Sequence, residues 1–394
     1  MVNSNNIVNK TLKKKTLKNK TCKISHIPAV DKDINAIIDV NAIRNNINYL
    51  KKKGGVDLMP VLKADALGHG LIEIAKILRK LGIKYIGVAT LGEAILLRKS
   101  GDNGRILSWL YDIDGHEFKN GLKLNLDIAI FDEKLIPKIE SMIPSGHKVN
   151  VTMFVDTGIN RAGIPYDNAL QACKDVVACD KFELVGMMSH LVCSEIKNSP
   201  IVNEQLNKFR KLRQTLEEID IIPPLVHIAN TNACLNYDVS DFTLSRPGVG
   251  LYGISGNDVN KNLKLAMTVK SYIIQIKEVE KGAGIGYNWK YVSPKKMKIA
   301  VVPVGYADII PRSASGKLNV YINGTKRKIL GTISMDQIIV ESNDNDKINN
   351  SVIIFGNGNN CPQTIFDVSK AGDSFPVEIL CNAGYRINRI YTNR

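Results

Sequence analysis

Between about residue 33 and residue 230 the chain alternates short apolar, β-rich runs with longer amphipathic segments. The runs are INAIIDV, LMPVLKA, YIGVAT, RILSWL, LDIAIF, VTMFVD, ELVGMMSH and LVHIAN. Between them lie stretches such as LIEIAKILRKLG and VNEQLNKFRKLRQTLEEI, whose apolar residues recur at helical spacing. Strand and helix in regular alternation predict a parallel sheet with helices outside. Eight near-continuous apolar strands favour closure into a (β/α)8 TIM-type barrel over an open sheet. Beyond about residue 265 the alternation stops: LAMTVKSYIIQIKEVEKG, KIAVVPVGYAD, LNVYINGTKRKIL and SVIIFGNG are β-rich runs joined by Gly, Asn and Asp turns. The expected organisation is a disordered basic tail over residues 1–24, an α/β barrel over 25–264 and an all-β C-terminal domain over 265–394.

Composition narrows the class. At 394 residues, with 44% hydrophobic and 23% charged residues, the chain reads as an ordinary globular protein of two domains. The net charge of +15 suggests nucleic acid at first sight, but residues 1–23 carry seven lysines and no acid, which leaves +8 for the body. Such a tail, rich in lysine and amides, is read as a solvated extension, so no nucleic-acid or membrane partner is expected. No apolar run reaches the ~18 residues of a spanning helix, which points to the cytoplasm. The seven cysteines are scattered without a CxxC pair; they read as small hydrophobes in a reducing compartment, and no metal site is expected.

In a barrel the chemistry belongs at the C-terminal ends of the strands. The polar residues there are Lys63, Asp156, Arg161, His190, Asn230 and Thr231. A lysine at a strand end is either a solvated rim charge or an amine held rigidly enough to attack a carbonyl. The segment SRPGVGLYG favours the second reading, because Gly248 and Gly250 allow close backbone approach and Thr231 offers a hydroxyl. A phosphate cradle beside a strand-end lysine suggests pyridoxal 5'-phosphate.

VLKADALGHG, residues 61–70, resembles the pyridoxal-phosphate lysine motif of the alanine racemase family, and the resemblance continues from about residue 33 onward. VDTGINRAG is similar to the family's arginine loop, SHLVCSE to its histidine strand, and HIANT with SRPGVGLYG to its phosphate and pyridine-nitrogen segments. GIGYNW, VGYAD, GTISMDQ and PVEILCNAGYR match in the family's order. The resemblance implies that Lys63 carries the cofactor and acts as one of two bases, with Tyr287 as the other, since racemisation removes a proton from one face of a carbon and returns it to the opposite face. It places Arg246 against the pyridine nitrogen, oriented by His227, and His190 beside Tyr287. Asn230, Thr231, Gly248 and Val249 fall in the phosphate segments; Arg161 stands near the cofactor phenolate and the substrate carboxylate; Tyr306, Met335 and Asp336 belong to the substrate side.

The activity implied is interconversion of L- and D-alanine for peptidoglycan, by a homodimer with shared sites. A racemase for serine or another small amino acid, and a cofactor-binding homologue without turnover, are the alternatives. A same-fold decarboxylase fits less well with a cationic partner for the pyridine nitrogen. Three residues depart from the family pattern. Leu67 and Val377 stand where it has phosphate-binding tyrosines, and Phe154 stands where many members have a lysine that braces the arginine.

Overall fold

In the computed structural model, which describes residues 34–256, 258–358 and 361–393, the first apolar run is a strand but does not enter the barrel. β1 (Ile34–Asp39) pairs antiparallel with Met267–Tyr272 and parallel with Ile387–Thr392, both in the C-terminal domain. This corrects the expectation that INAIIDV is the first barrel strand. The reason lies in the side chains: Ile34, Ala36 and Ile38 are buried, while Asn35, Ile37 and Asp39 between them are only half-buried. Such alternation suits a sheet with one well-covered face; strands of a barrel are covered on both. The basic tail lies outside the described residues.

The barrel strands are β2 (Asp57–Leu58), β3 (Tyr85–Thr90), β4 (Arg105–Leu110), β5 (Asp127–Ile130), β6 (Val149–Asp156), β7 (Phe182–Met188), β8 (Leu225–His227) and β9 (Leu244–Ser245). All run parallel from β3 to β8. Closure comes from β9 pairing with β2, from the Val61–Gly87 bridge between the first strand and β3, and from the Thr243 and Arg246 amides donating to the carbonyls of Val226 and Ala229. The barrel is therefore eight-stranded as expected, with its membership shifted by one place. β9, only two residues long, gave no run to read.

Helices cover the outside. α1 (Val40–Gly54) buries Ile43, Ile47 and Leu50; α2 (Leu71–Lys80) buries Leu71, Ile74, Ala75 and Leu78, the i, i+3, i+4 stripe its sequence announces. α3 (Leu91–Lys99) starts at a capping box in which Thr90 and Glu93 satisfy each other's backbone N–H groups. Inside the barrel Met59, Leu107, Ala129, Phe154, Met188, Leu225 and Leu244 form a separate apolar plug beneath the mouth.

The C-terminal domain adds β10 (Met267–Tyr272), β11 (Gln275–Val279), β12 (Met297–Val302), β13 (Asn319–Ile322), β14 (Thr325–Leu330), β15 (Ile338–Ser342), β16 (Ser351–Phe355) and β17 (Ile387–Thr392). They form one sheet in the order β11-β12-β15-β14-β13-β16-β10-β1-β17. Among the described residues no helix is long and apolar enough to cross a membrane.

β1 belongs to both cores. Ile34 and Ala36 pack in that of the β domain, whereas Ile38 packs in that of the barrel. Ile38→Ala should therefore cost about 2–5 kcal/mol in equilibrium denaturant unfolding, and Ile37→Ala, on the less covered face, less than half as much. Equal losses would contradict the placement of Ile38 as the bolt between the domains.

Candidate active site

Lys63 follows Val61 and Leu62, the last residues before the chain leaves the first barrel strand, and it opens a turn of unusual handedness. Ala64, Asp65, Ala66 and Leu67 all lie in the left-handed region, with φ between 52° and 55°. Non-glycine residues enter this region at a cost of roughly 1–2 kcal/mol each, so the turn must be held from outside. The Ala64 N–H donates to Glu93 (2.7 Å), and the Asp65 carboxylate accepts from the Leu71 N–H (2.7 Å) at the start of α2. From the end of the chain, Arg389 donates to the Gly68 carbonyl (2.8 Å) and pairs with Asp65 (3.0 Å), while the Tyr391 hydroxyl donates to the His69 carbonyl (2.7 Å). Gly68 and Gly70 have positive φ, and a Cβ at either would collide, with the Leu380 carbonyl in one case and the Tyr391 hydroxyl in the other.

Under the turn sits His69, wholly buried, its ring stacked on Tyr252 at 3.8 Å. Its Nδ1 faces the carbonyls of Ala66 and Leu67 (3.1 and 2.9 Å), so Nδ1 carries the proton and the imidazole is neutral. Burial pushes its pKa down to about 3.

The adjoining wall is built on β8 and β9. Arg246, buried, donates to His227 Nδ1 (2.7 Å), to the His227 carbonyl (2.6 Å) and to the Ser189 carbonyl (2.5 Å). Nδ1 therefore accepts, and Nε2 of His227 bears the proton, buried without a partner. Burial, then the Arg246 charge, hold His227 neutral, and burial alone lowers Arg246 to about 10, still a cation at neutral pH. Thr231 Oγ1 accepts the N–H groups of Gly248 (3.2 Å) and Gly250 (3.1 Å), which leaves its own O–H to donate. Asn230 caps the following short helix, accepting from Ala233 N–H (3.0 Å) and the Ser194 hydroxyl (2.7 Å). Val249, half-buried, lies between the two glycines.

Positive charge converges on the mouth. Lys63 reaches solvent, yet the surrounding protein desolvates its amine, and this, with the neighbouring Arg161, lowers its pKa. His190, at the end of β7, is pushed down to about 3 by burial and then by Arg246, Arg161 and Lys63. Arg161 is exposed and makes no hydrogen bond or ion pair among the described residues. Asp156, at the end of β6, accepts the N–H groups of Gly158 (2.8 Å), Ile159 (2.9 Å) and Asn160 (3.3 Å), and so shapes the loop that carries Arg161 without entering the mouth.

The departures are filled by apolar packing. Leu67 is buried in the barrel core, Val377 lies between the two cores, and Phe154 joins the plug beneath the mouth, where it offers Arg161 nothing to bond. Tyr287, Tyr306, Met335 and Asp336 lie on exposed turns of the β domain and share no hydrogen bond or ion pair with this cluster among the described residues. Sequence reading missed Glu93, Asp65, Arg389 and Tyr391. The only signal for the last two is their i, i+2 spacing on one face of β17.

Comparison with known proteins finds matches to both domains. The family model described as "Alanine racemase, N-terminal domain" matches residues 38–256, and the "Alanine racemase, C-terminal domain" model matches 266–391. An alanine racemase of Thermobifida fusca is 32% identical over 366 residues, covering 91% of this chain and 97% of that one; one of Salinispora arenicola is 32% identical over 361, covering 90% and 97%. Among solved structures, alanine racemase from Streptomyces lavendulae superposes with a TM-score of 0.86 at 29% identity, covering 93% of this chain and 98% of that one. The Clostridium difficile protein gives 0.86 at 30%, covering 92% and 96%.

The buried histidine under the turn gives a pH prediction. Unfolded, His69 titrates near 6.5; folded, near 3. Between those values the unfolded chain binds more protons, so stability falls as pH falls, by on the order of 5 kcal/mol at pH 3 from this residue alone. Denaturant midpoints measured from pH 7 to pH 4 should drop steeply, and His69→Gln should flatten the slope. An unchanged slope in the variant would exclude His69 as a source of acid lability.

Proposed function

The chain belongs to the alanine racemase family, and from that premise we propose that it interconverts L- and D-alanine with pyridoxal 5'-phosphate, as a cytoplasmic homodimer that supplies D-alanine for peptidoglycan. The observation that carries the reading is a lysine amine of lowered pKa at a barrel-strand end, beside Arg161, with both of them and Arg246 acting on a neutral histidine.

The residues present suit the cofactor. The Lys63 amine is more often uncharged at neutral pH than an ordinary lysine, which covalent attachment to an aldehyde requires. Lys63, Arg161 and Arg246 give the mouth a field that favours phosphate, phenolate and carboxylate groups. The Thr231 hydroxyl, with the Gly248 and Gly250 backbone beside it, provides a phosphate seat. Arg246, after its three bonds, keeps N–H donors for a ring nitrogen. When bound, pyridoxal phosphate withdraws electrons from the Cα–H bond of the amino acid.

The protein's task is then proton management on two faces. Lys63 Nζ takes or returns the proton on one face, and Tyr287 Oη of a second copy does so on the other. Arg161 and the Met335 backbone N–H hold the substrate carboxylate, with Tyr306 and Asp336 beside them on the substrate side. Tyr287 is 65% exposed, and Trp289, Val292, Tyr306, Met335 and Tyr385 of the same domain are exposed as well. Apolar and aromatic surface of this kind supports an interface with another copy.

Two variants test the shared site. Lys63→Ala should abolish the visible absorbance of the bound cofactor, and Tyr287→Phe should abolish racemisation while keeping it. Mixed and reassociated, about half the dimers pair one of each, and each such dimer has one intact site, so activity should return to about a quarter of wild type. A mixture as inactive as its components, despite subunit exchange, would rule out sharing. Loss of the α-proton from L-alanine and L-serine in deuterated water distinguishes the substrate.

A further inference from the structure

Arg386 lies in the last turn before β17, and the reading above gives it no task. Its guanidinium reaches two loops at once. Nε and Nη2 meet Asp308 Oδ1 (3.0 and 2.9 Å), and Nη1 donates to Asp336 Oδ1 (2.6 Å). Asp308 is buried, and its other oxygen accepts the Gly305 N–H (2.7 Å). The loops are also bonded to each other: Tyr306 N–H donates to the Ser334 carbonyl (3.1 Å) and Ala307 N–H to that of Met335 (3.0 Å). Gly305 has no room for a Cβ, which would collide with the carbonyls of Ser334 and Met335. Tyr306 and Met335 thus sit side by side in a rigid pair whose outer edge is closed by Arg386.

The two ion pairs differ in character. The one to Asp308 is half sheltered and satisfies a buried carboxylate; the one to Asp336 is open to solvent and contributes little to stability. Asp336 is the neighbour of Met335, so that exposed bond instead limits where the Met335 amide can sit. A clip serving stability alone would need only Asp308.

We propose that Arg386 is a positioning residue of the carboxylate subsite: by gripping Asp308 and Asp336 together it fixes the Tyr306 and Met335 loops at one separation. It thereby sets where the Met335 N–H meets the substrate carboxylate in the mouth of a second copy. This rests on the reading that these loops enter the partner's mouth. Displacement of a binding group by about 1 Å costs up to about a hundredfold.

The test uses the cofactor-loaded enzyme. Arg386→Ala should raise the KM for L-alanine about tenfold or more and weaken inhibition by acetate, a bare carboxylate, in the same proportion. The change in kcat should be smaller, and the cofactor absorbance should stay intact. Arg386→Lys should recover part of both shifts. Asp336→Asn, which removes only the exposed pair and leaves Asp308 satisfied, should move KM and acetate inhibition in the same direction even if Arg386→Ala fails to fold. Unchanged KM and acetate inhibition in these variants would overturn the proposal, and so would loss of cofactor absorbance in step with activity.

Differentially tagged dimers of one Arg386→Ala chain and one Lys63→Ala chain complete the test. Their single functional lysine belongs to the Arg386→Ala chain, facing loops with native Arg386. A native KM is expected; a KM like that of the Arg386→Ala homodimer would show that Arg386 acts within its own chain and would overturn the proposal. If instead the Lys63→Ala and Tyr287→Phe mixture fails to recover, it is the shared-site reading that falls.

Discussion

The left-handed turn from Ala64 to Leu67 is the constraint on which the rest of the structure depends. Four consecutive non-glycine residues in that region cost several kcal/mol at roughly 1–2 each. The turn persists because bonds from three directions fix it: Glu93 from α3, the start of α2, and Arg389 with Tyr391 from β17. The last pair requires the two ends of the described chain to meet. They do so because β1 and β17 pair in parallel, with Ile37 opposite Ile390. The exclusion of β1 from the barrel is thus part of how Lys63 is held: the β domain owns the strand that enters α1, and through β17 it braces the lysine.

Electrostatics supply the second requirement. Lys63, Arg161 and Arg246 converge on His190, and burial first, then this convergence, keeps the imidazole neutral. Cations gathered at one mouth before any anion arrives favour binding one, because the cost of assembling like charges has been met by folding. The apolar identities of Leu67, Val377 and Phe154 place more of that burden on the charges and on the Thr231 hydroxyl, since none of the three offers a hydrogen bond. Arg161 in particular, with Phe154 in the plug below it, has freedom to adjust to what occupies the mouth.

What could be read from the sequence was whatever is local. Alternation of apolar runs and amphipathic stripes revealed an eight-stranded barrel followed by strands, and the strand-end rule picked out Lys63, Arg161, His190, Asn230 and Thr231. INAIIDV was misassigned because an apolar run has the same appearance in either sheet; only the half-buried positions of Asn35 and Asp39 hinted at a strand covered mainly on one face. Leu244–Ser245 was invisible because its pairing with β2 is imposed by closure, not by its own pattern. The brace on the lysine was also beyond reach, since Arg389 and Tyr391 touch Gly68 and His69 across more than 300 residues of chain.

The segment from Arg386 to Tyr391 joins these themes. Arg389 and Tyr391 grip the Lys63 turn of their own chain, and three residues earlier Arg386 grips the loops that carry Tyr306 and Met335. In the proposed dimer those loops serve the other mouth, so this short stretch holds half of each of two sites. A displacement of β17 along β1 would loosen the lysine in one site and shift the carboxylate seat in the other. The pairing of β1 with β17 resists such a slip, because the register that brings Ile37 opposite Ile390 also buries Ile38 in the barrel core. The strand that binds the two cores together is thereby the strand that keeps the two sites in step.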